Sequence, residues 1–232
     1  MPDIRPIRAF LEPEHDAWAT HMRTFASETL APRAEPVDDA AGRIEARELL
    51  RAMGEVGALD PIGTRDLRAC CIAREAISHA SPLADAVWAL QGLGVTPLLL
   101  AASDVLRERW APGALDGEIM SAFAMTEPEA GSDVASMKTR AVRDGGDYVL
   151  DGQKWLISNA GIADYYVVFA STEPEAGSRG ISAFVVPAET PGFTFAGAQV
   201  MSAPHPLGVI EMSACRVPAS NLIGDEGRGF ML

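Results

Sequence analysis

The chain has little with which to hold a metal ion or build a disulfide scaffold. Its 232 residues include three cysteines and four histidines. Cys70 and Cys71 are adjacent, Cys215 stands far off, and no HxH or HxxxH pair occurs. Those spacings exclude a disulfide framework and a metal-ligand set, so no metal is expected and the cysteines read as reduced packing residues. Basic charge is also scarce: 19 Lys and Arg stand against 32 Asp and Glu, a formal net charge of −13. That net negative charge disfavours nucleic acid and an anionic membrane surface as partners, since both bind through a Lys and Arg excess. The longest apolar stretch, GVTPLLLAA over residues 94–102, is shorter than a bilayer span, and MPDIRPIRAF has no signal-peptide apolar region, so a cytoplasmic chain is expected. GxGxxG and GxxxxGK[ST] are absent, which removes the usual nucleotide loops.

What is present divides into two halves with different periods. Up to about residue 118 apolar residues recur at three- and four-residue steps, as in Trp18, Met22, Phe25 and Leu49, Met53, Val56. That pattern, with prolines and N-cap residues at its breaks, predicts helices near 14–30, 44–56, 66–79, 82–101 and 104–110. After Gly117 come short β-rich runs, SAFAMT, YVL, QKWLIS, DYYVVFAS, ISAFVVP and GVIEMS, separated by Gly, Pro, Asp and Asn. The dipeptides Asp144-Gly145 and Asp151-Gly152 read as turns, so residues 139–158 are expected as three antiparallel strands. Helices followed by strands, without βαβ alternation, define an α+β fold: an N-terminal α-helical bundle over 1–118 followed by an antiparallel β-barrel-like domain over 119–232.

One heptapeptide occurs twice: TEPEAGS at 126–132 and again at 172–178. The second copy lies between two strongly apolar runs, where Pro, Gly and Ser need only turn the chain. The first follows SAFAM and runs into DVASMKT, so Gly131 and Ser132 offer backbone N–H groups and a hydroxyl in a bend poor in Cβ atoms. Such a bend suits a pyrophosphate or a flavin carbonyl without any cationic side chain, although a plain loop has the same composition. Glu127 and Glu129 sit in this proline-containing loop, where solvated carboxylates are expected. His205, between Pro204 and Pro206, reads as a surface loop residue.

The run AFAMTEPEAGSD at 122–133 and the run DGQKWLISN at 151–159 resemble the two signature segments of the acyl-CoA dehydrogenase family. CRVPASNLIGDEGRGF near the end resembles the segment that leads out of that family's β-domain, and the similarity extends, more weakly in the helical half, over about residues 10–232. The resemblance implies FAD as cofactor. Phe123 and Met125 would pack on its ring system, Thr126 would hydrogen-bond the pyrimidine edge, and Gly131 with Ser132 would meet the cofactor phosphate or the substrate. In the second segment Leu156, Ile157 and Ser158 would cover the other side, with the Ser158 hydroxyl or N–H near flavin N5. Leu156 departs from the aromatic residue common in relatives. Strand alternation sends its neighbour Trp155 to the opposite face, towards core packing.

The reaction so implied removes hydrogens from the α and β carbons of an acyl-CoA thioester, a carboxylate taking the α proton and the flavin the β hydride. In the family that carboxylate belongs to a third, C-terminal helical domain, which this sequence does not include, so no catalytic residue is assigned here. The resemblance also implies an oligomer, an acyl-CoA substrate, and an electron-transferring flavoprotein or similar acceptor. The polypeptide by itself is expected to hold FAD weakly or not at all, to show no turnover, and to self-associate or require a helical partner. Other readings that share the fold are a reduced-flavin monooxygenase and a non-catalytic assembly subunit.

Overall fold

The computed structural model describes residues 3–203 and 205–232. Its first half is built by capped helices: α1 (Glu14–Phe25), α2 (Asp39–Glu55), α3 (Asp60–Thr64), α4 (Leu67–Ala80), α5 (Pro82–Ala101) and α6 (Asp104–Leu115). A π-helical turn, Ala26–Leu30, prolongs α1 towards Pro32. Asp38, Asp66, Ser81 and Ser103 each accept a hydrogen bond from the first turn of the helix they precede, satisfying N–H groups that a helix start leaves without partners. The cap at Asp38 explains why α2 begins five residues before the apolar periodicity does: Asp39-Ala40-Ala41-Gly42 carries no large apolar side chain. α3 falls in the gap between the second and third expected helices, and α6 runs on past Pro112.

The apolar stripes face inward as the period predicts. Met22, Phe25, Leu49 and Met53 are buried together, with Trp18 and Val56 partly buried against them. α5 is the exception in character, because it is apolar nearly all round. At 20 residues it is long and apolar enough to cross a membrane, which the nine-residue run did not suggest, and half of its most apolar window is buried inside the protein.

The second half forms one eight-stranded sheet: β1 (Ser121–Ala124), β2 (Arg140–Asp144), β3 (Asp147–Ser158), β4 (Tyr165–Ser171), β5 (Ile181–Pro187), β6 (Phe193–Ala198), β7 (Leu207–Pro218) and β8 (Leu222–Ile223). The strand order is β6-β7-β3-β2-β4-β5-β8, with β1 on β4. Most pairs are antiparallel, but β1 runs parallel to β4 and β2 touches β4 in parallel at Arg140 and Ser171, so the sheet is mixed. Asp151-Gly152 is no turn: β3 passes through it as a single 12-residue strand with a register shift between Leu150 and Gly152. Gly152 has a φ of 150°, and a Cβ there would lie 2.4 Å from Thr139 Oγ1, so the glycine serves a bulge in place of a hairpin.

The halves are joined by specific contacts that fix β1 against α5. Gln91, fully buried on α5, donates to Ala114 O at 2.8 Å and Ile119 O at 2.7 Å and accepts from the Ser121 N–H at 3.0 Å. A Cβ on Gly94 would sit 2.2 Å from Ser121 Oγ, so only glycine allows the helix this close to the strand. Arg47 on α2 grips Asp164 through two bonds of 2.8 and 2.7 Å, and Asp164 also takes the Met120 N–H at 2.7 Å.

Candidate functional site

The first signature segment leaves β1 and the second lies on β3, and a buried ion pair holds them together. Lys154, one of only two lysines in the chain, has no exposed surface. Its Nζ donates to Glu127 Oε1 at 2.8 Å and to Met125 O at 3.0 Å. Glu127 in turn accepts the N–H groups of Lys138 and, at 3.1 Å, Thr139. One residue along, the Trp155 N–H donates to Thr126 O at 2.8 Å. Glu127 is therefore not the solvated loop carboxylate expected from sequence; it is 4% exposed and fully engaged. Burial alone raises its pKa, but the Lys154 ammonium and the converging N–H donors outweigh that and hold it below the ordinary carboxylate range. Burial pushes the Lys154 ammonium down to about 8 against the pull of Glu127.

Around this clip the proposed contact residues take distinct places. Phe123 is partly buried on β1, its ring 4.8 Å from that of Phe169. Met125 and Thr126 are partly exposed just beyond the strand end. Glu127 and Ala130 bond to each other in a tight turn, which leaves Gly131 and Ser132 exposed. The N–H groups of Gly131 and Ser132 meet no acceptor among the described residues, and a Cβ built on Gly131 finds no atom within 4 Å. Neutral donors beside open space fit the phosphate or a carbonyl edge of a flavin nucleotide. Ile157 differs from its neighbours: its side chain is in the core at 2% exposure, so it anchors the strand and presents no side chain outward.

Trp155 does not pack in the core. β3 carries a second register shift between Lys154 and Ile157, and Leu156 adopts a φ of 55°. That left-handed residue breaks the two-residue alternation, so Lys154 and Ile157 point inward while Trp155 and Leu156, at 39% and 48% exposure, both remain outside. The Leu156 N–H is held by Gln199 Oε1 at 2.8 Å. Ser158 ends the strand with its Oγ 2.8 Å from His205 Nε2. His205, expected as a plain surface residue, is only partly exposed, and burial lowers its pKa.

Phe123 also lines a cavity of about 860 Å³ between α3, α4 and α5. Its wall includes Trp88, Gly92, Leu93 and Phe123 with Arg65 and Arg74, and among the described residues no carboxylate lines it. The second TEPEAGS is a connector: β4 and β5 are joined through the short 3₁₀ turns of Pro174–Gly180, with Thr172 bonded to Gly180 O and to Ser182 Oγ.

Residues 12–118 match the acyl-CoA dehydrogenase N-terminal domain and residues 122–220 the acyl-CoA dehydrogenase middle domain. The chain belongs to the acyl-CoA dehydrogenase family. A cyclohex-1-ene-1-carbonyl-CoA dehydrogenase of Syntrophus aciditrophicus is 35% identical over 217 residues, covering 90% of this chain and 52% of that protein. The glutaryl-coenzyme A dehydrogenase complex with glutaryl-CoA superposes with a TM-score of 0.87 at 30% identity, over 95% of this chain and 59% of that one. A glutaryl-CoA dehydrogenase of Mycobacterium smegmatis in complex with FADH2 gives 0.83 at 27%, over 95% and 58%. The chain thus spans little more than half the length of the relatives it matches.

Proposed function

We propose that this chain supplies one wall of the flavin site and part of the acyl channel of an enzyme that dehydrogenates an acyl-CoA thioester between its α and β carbons. The observation that carries the reading is Phe123, which belongs at once to the first signature strand and to the wall of the large apolar cavity. A predominantly apolar cavity of this size suits an acyl chain, and its sharing of Phe123 with the first signature strand supports the reading that the chain's end meets the flavin there. When bound, FAD accepts the hydride from the β carbon. Phe123, Met125 and Leu156 give apolar contact to the ring system, Thr126 a hydrogen bond to its polar edge, and Gly131 with Ser132 donors for a phosphate or for the substrate.

The proton acceptor lies outside these residues. Among the described residues no carboxylate faces the cavity, and Glu127 is spent on Lys154 and two backbone N–H groups. The base, the remaining flavin contacts and the oligomer that assembles them come from further chain or a partner subunit, with an electron-transferring flavoprotein or similar acceptor taking the electrons. The test is to purify the protein at native abundance with whatever chains accompany it, extract and identify the chromophore, and add acyl-CoA thioesters anaerobically. FAD that loses its visible band as enoyl-CoA forms is the expected result. A flavin-free assembly with all its natural partners, or oxygen-dependent hydroxylation in place of enoyl-CoA, would overturn it.

A further inference from the structure

The loop between β6 and β7 folds back over the end of β3 and is latched there at three points. The Leu156 N–H donates to Gln199 Oε1 at 2.8 Å, Ser158 Oγ meets His205 Nε2 at 2.8 Å, and the Asn159 N–H donates to Pro206 O at 2.7 Å. Arg43 of α2 steadies the same place, donating to Leu207 O at 2.6 Å while its carboxylate partner Asp39 holds its Nε at 2.6 Å. The imidazole is thus brought to Ser158 by the backbone bond between the residues that follow each of them, Asn159 and Pro206, in a cavity that it shares with Glu35, Asp38 and Asp39. Asp38 is committed to capping α2 and Asp39 to Arg43, which leaves Glu35 as the remaining acid of that wall.

A hydroxyl beside an imidazole has its direction set by the imidazole's proton. Neutral histidine offers either a lone pair or an N–H at Nε2, according to tautomer, so Ser158 can give or take the shared bond. Imidazolium can only donate, which turns the Ser158 O–H away from His205 and towards the site. We propose that His205 is a positioning residue for Ser158, deciding whether that hydroxyl presents a donor or a lone pair to the flavin. This rests on the reading of Ser158 as a flavin contact and adds to it a group outside both signature segments.

The proposal couples flavin binding to one proton. If oxidised FAD takes a hydrogen bond from Ser158, binding favours the imidazolium and, by linkage, affinity rises as pH falls through the titration of His205. Because burial lowers that titration, the rise falls in mildly acidic solution. The experiment uses the protein with its accompanying chains, stripped of flavin and titrated with FAD from about pH 7.5 to about pH 5.5, either side of the ordinary histidine range. The native protein should gain about fivefold in affinity, the worth of one net hydrogen bond. His205→Gln keeps a group that gives or takes a hydrogen bond but does not titrate, so its affinity at the higher pH should be nearly unchanged and its slope lost. His205→Ala should lose both, and Ser158→Ala should be flat. Binding with the same slope in native protein and His205→Gln overturns the role of His205 alone. Failure of the native protein to take up FAD at any pH overturns the flavin reading of Ser158 and, with it, the proposal.

Discussion

Replacing Glu127 with glutamine is expected to destabilise the fold by about 3–5 kcal/mol, the usual consequence of leaving one partner of a buried ion pair alone. The melting temperature should fall by roughly 6–20 °C for a chain of this size. Lys154 has no exposed surface and would lose the charge that balances its ammonium, and the new amide would have to turn its NH₂ either towards Lys154 or towards the N–H groups of Lys138 and Thr139, donor against donor. Adding Lys154→Met should recover much of the loss, because the buried ammonium then goes and its volume is kept. Thermal unfolding of the two single variants and the double variant measures this directly. The effect also has a pH signature. The folded-state pKa of Glu127 is depressed below the ordinary value of 4.5, so the carboxylate's contribution is fully present above that value and is lost as pH falls through the folded one. The gap between native protein and Glu127→Gln should therefore close in acid. A gap that stays constant down to the lowest pH at which both fold would show that the pair does not carry the difference.

The second large effect separates the two copies of TEPEAGS. Thr126→Val with Ser132→Ala removes two hydroxyls from the first copy, and FAD affinity should fall by roughly ten- to a hundredfold, about 1–3 kcal/mol for donors facing a polar or charged group. Thr172→Val with Ser178→Ala, the equivalent change in the second copy, should leave affinity unchanged. It should lower stability, because Thr172 bonds Gly180 O at 3.1 Å and Ser182 Oγ at 2.8 Å within the β4–β5 connector. Flavin titration and thermal melting on the native protein and these two double variants therefore give opposite patterns for the two copies. Equal loss of flavin from both would mean that the sequence identity reflects two equivalent binding loops.

Much of this arrangement was legible in residue order because the forces involved are local. The change of period near residue 118 marks the passage from helices to strands, and Ser81, before Pro82, marks a helix start through a bond spanning three residues. The β4–β5 connector follows from turn residues between two apolar runs. What escaped the sequence depends on long-range partners. Asp151-Gly152 has the chemistry of a hairpin, but glycine serves a bulge equally well, and only the approach of Thr139 decides between them. Alternation placed Trp155 inside, and the left-handed Leu156 cancels it; nothing in a leucine announces a positive φ. The Glu127–Lys154 pair joins residues 27 positions apart. Its faint signal was the rarity of lysine, since a chain that otherwise uses arginine places one of its two lysines directly before the apolar run Trp155-Leu156-Ile157. His205 looked like loop because of its prolines, whereas the backbone bond from Asn159 to Pro206 folds that loop onto Ser158.

The central claim is that the first TEPEAGS and the bulged end of β3, clipped together by Lys154, form one flavin-binding wall. The measurement that tests it most directly is the structure of the natively purified protein with its flavin bound. The account predicts the ring system lying against Met125, Thr126 and Leu156, with the Ser158 hydroxyl at its edge and nothing bound at residues 172–178. Flavin seated on the second copy, or anywhere remote from Thr126 and Ser158, would contradict it.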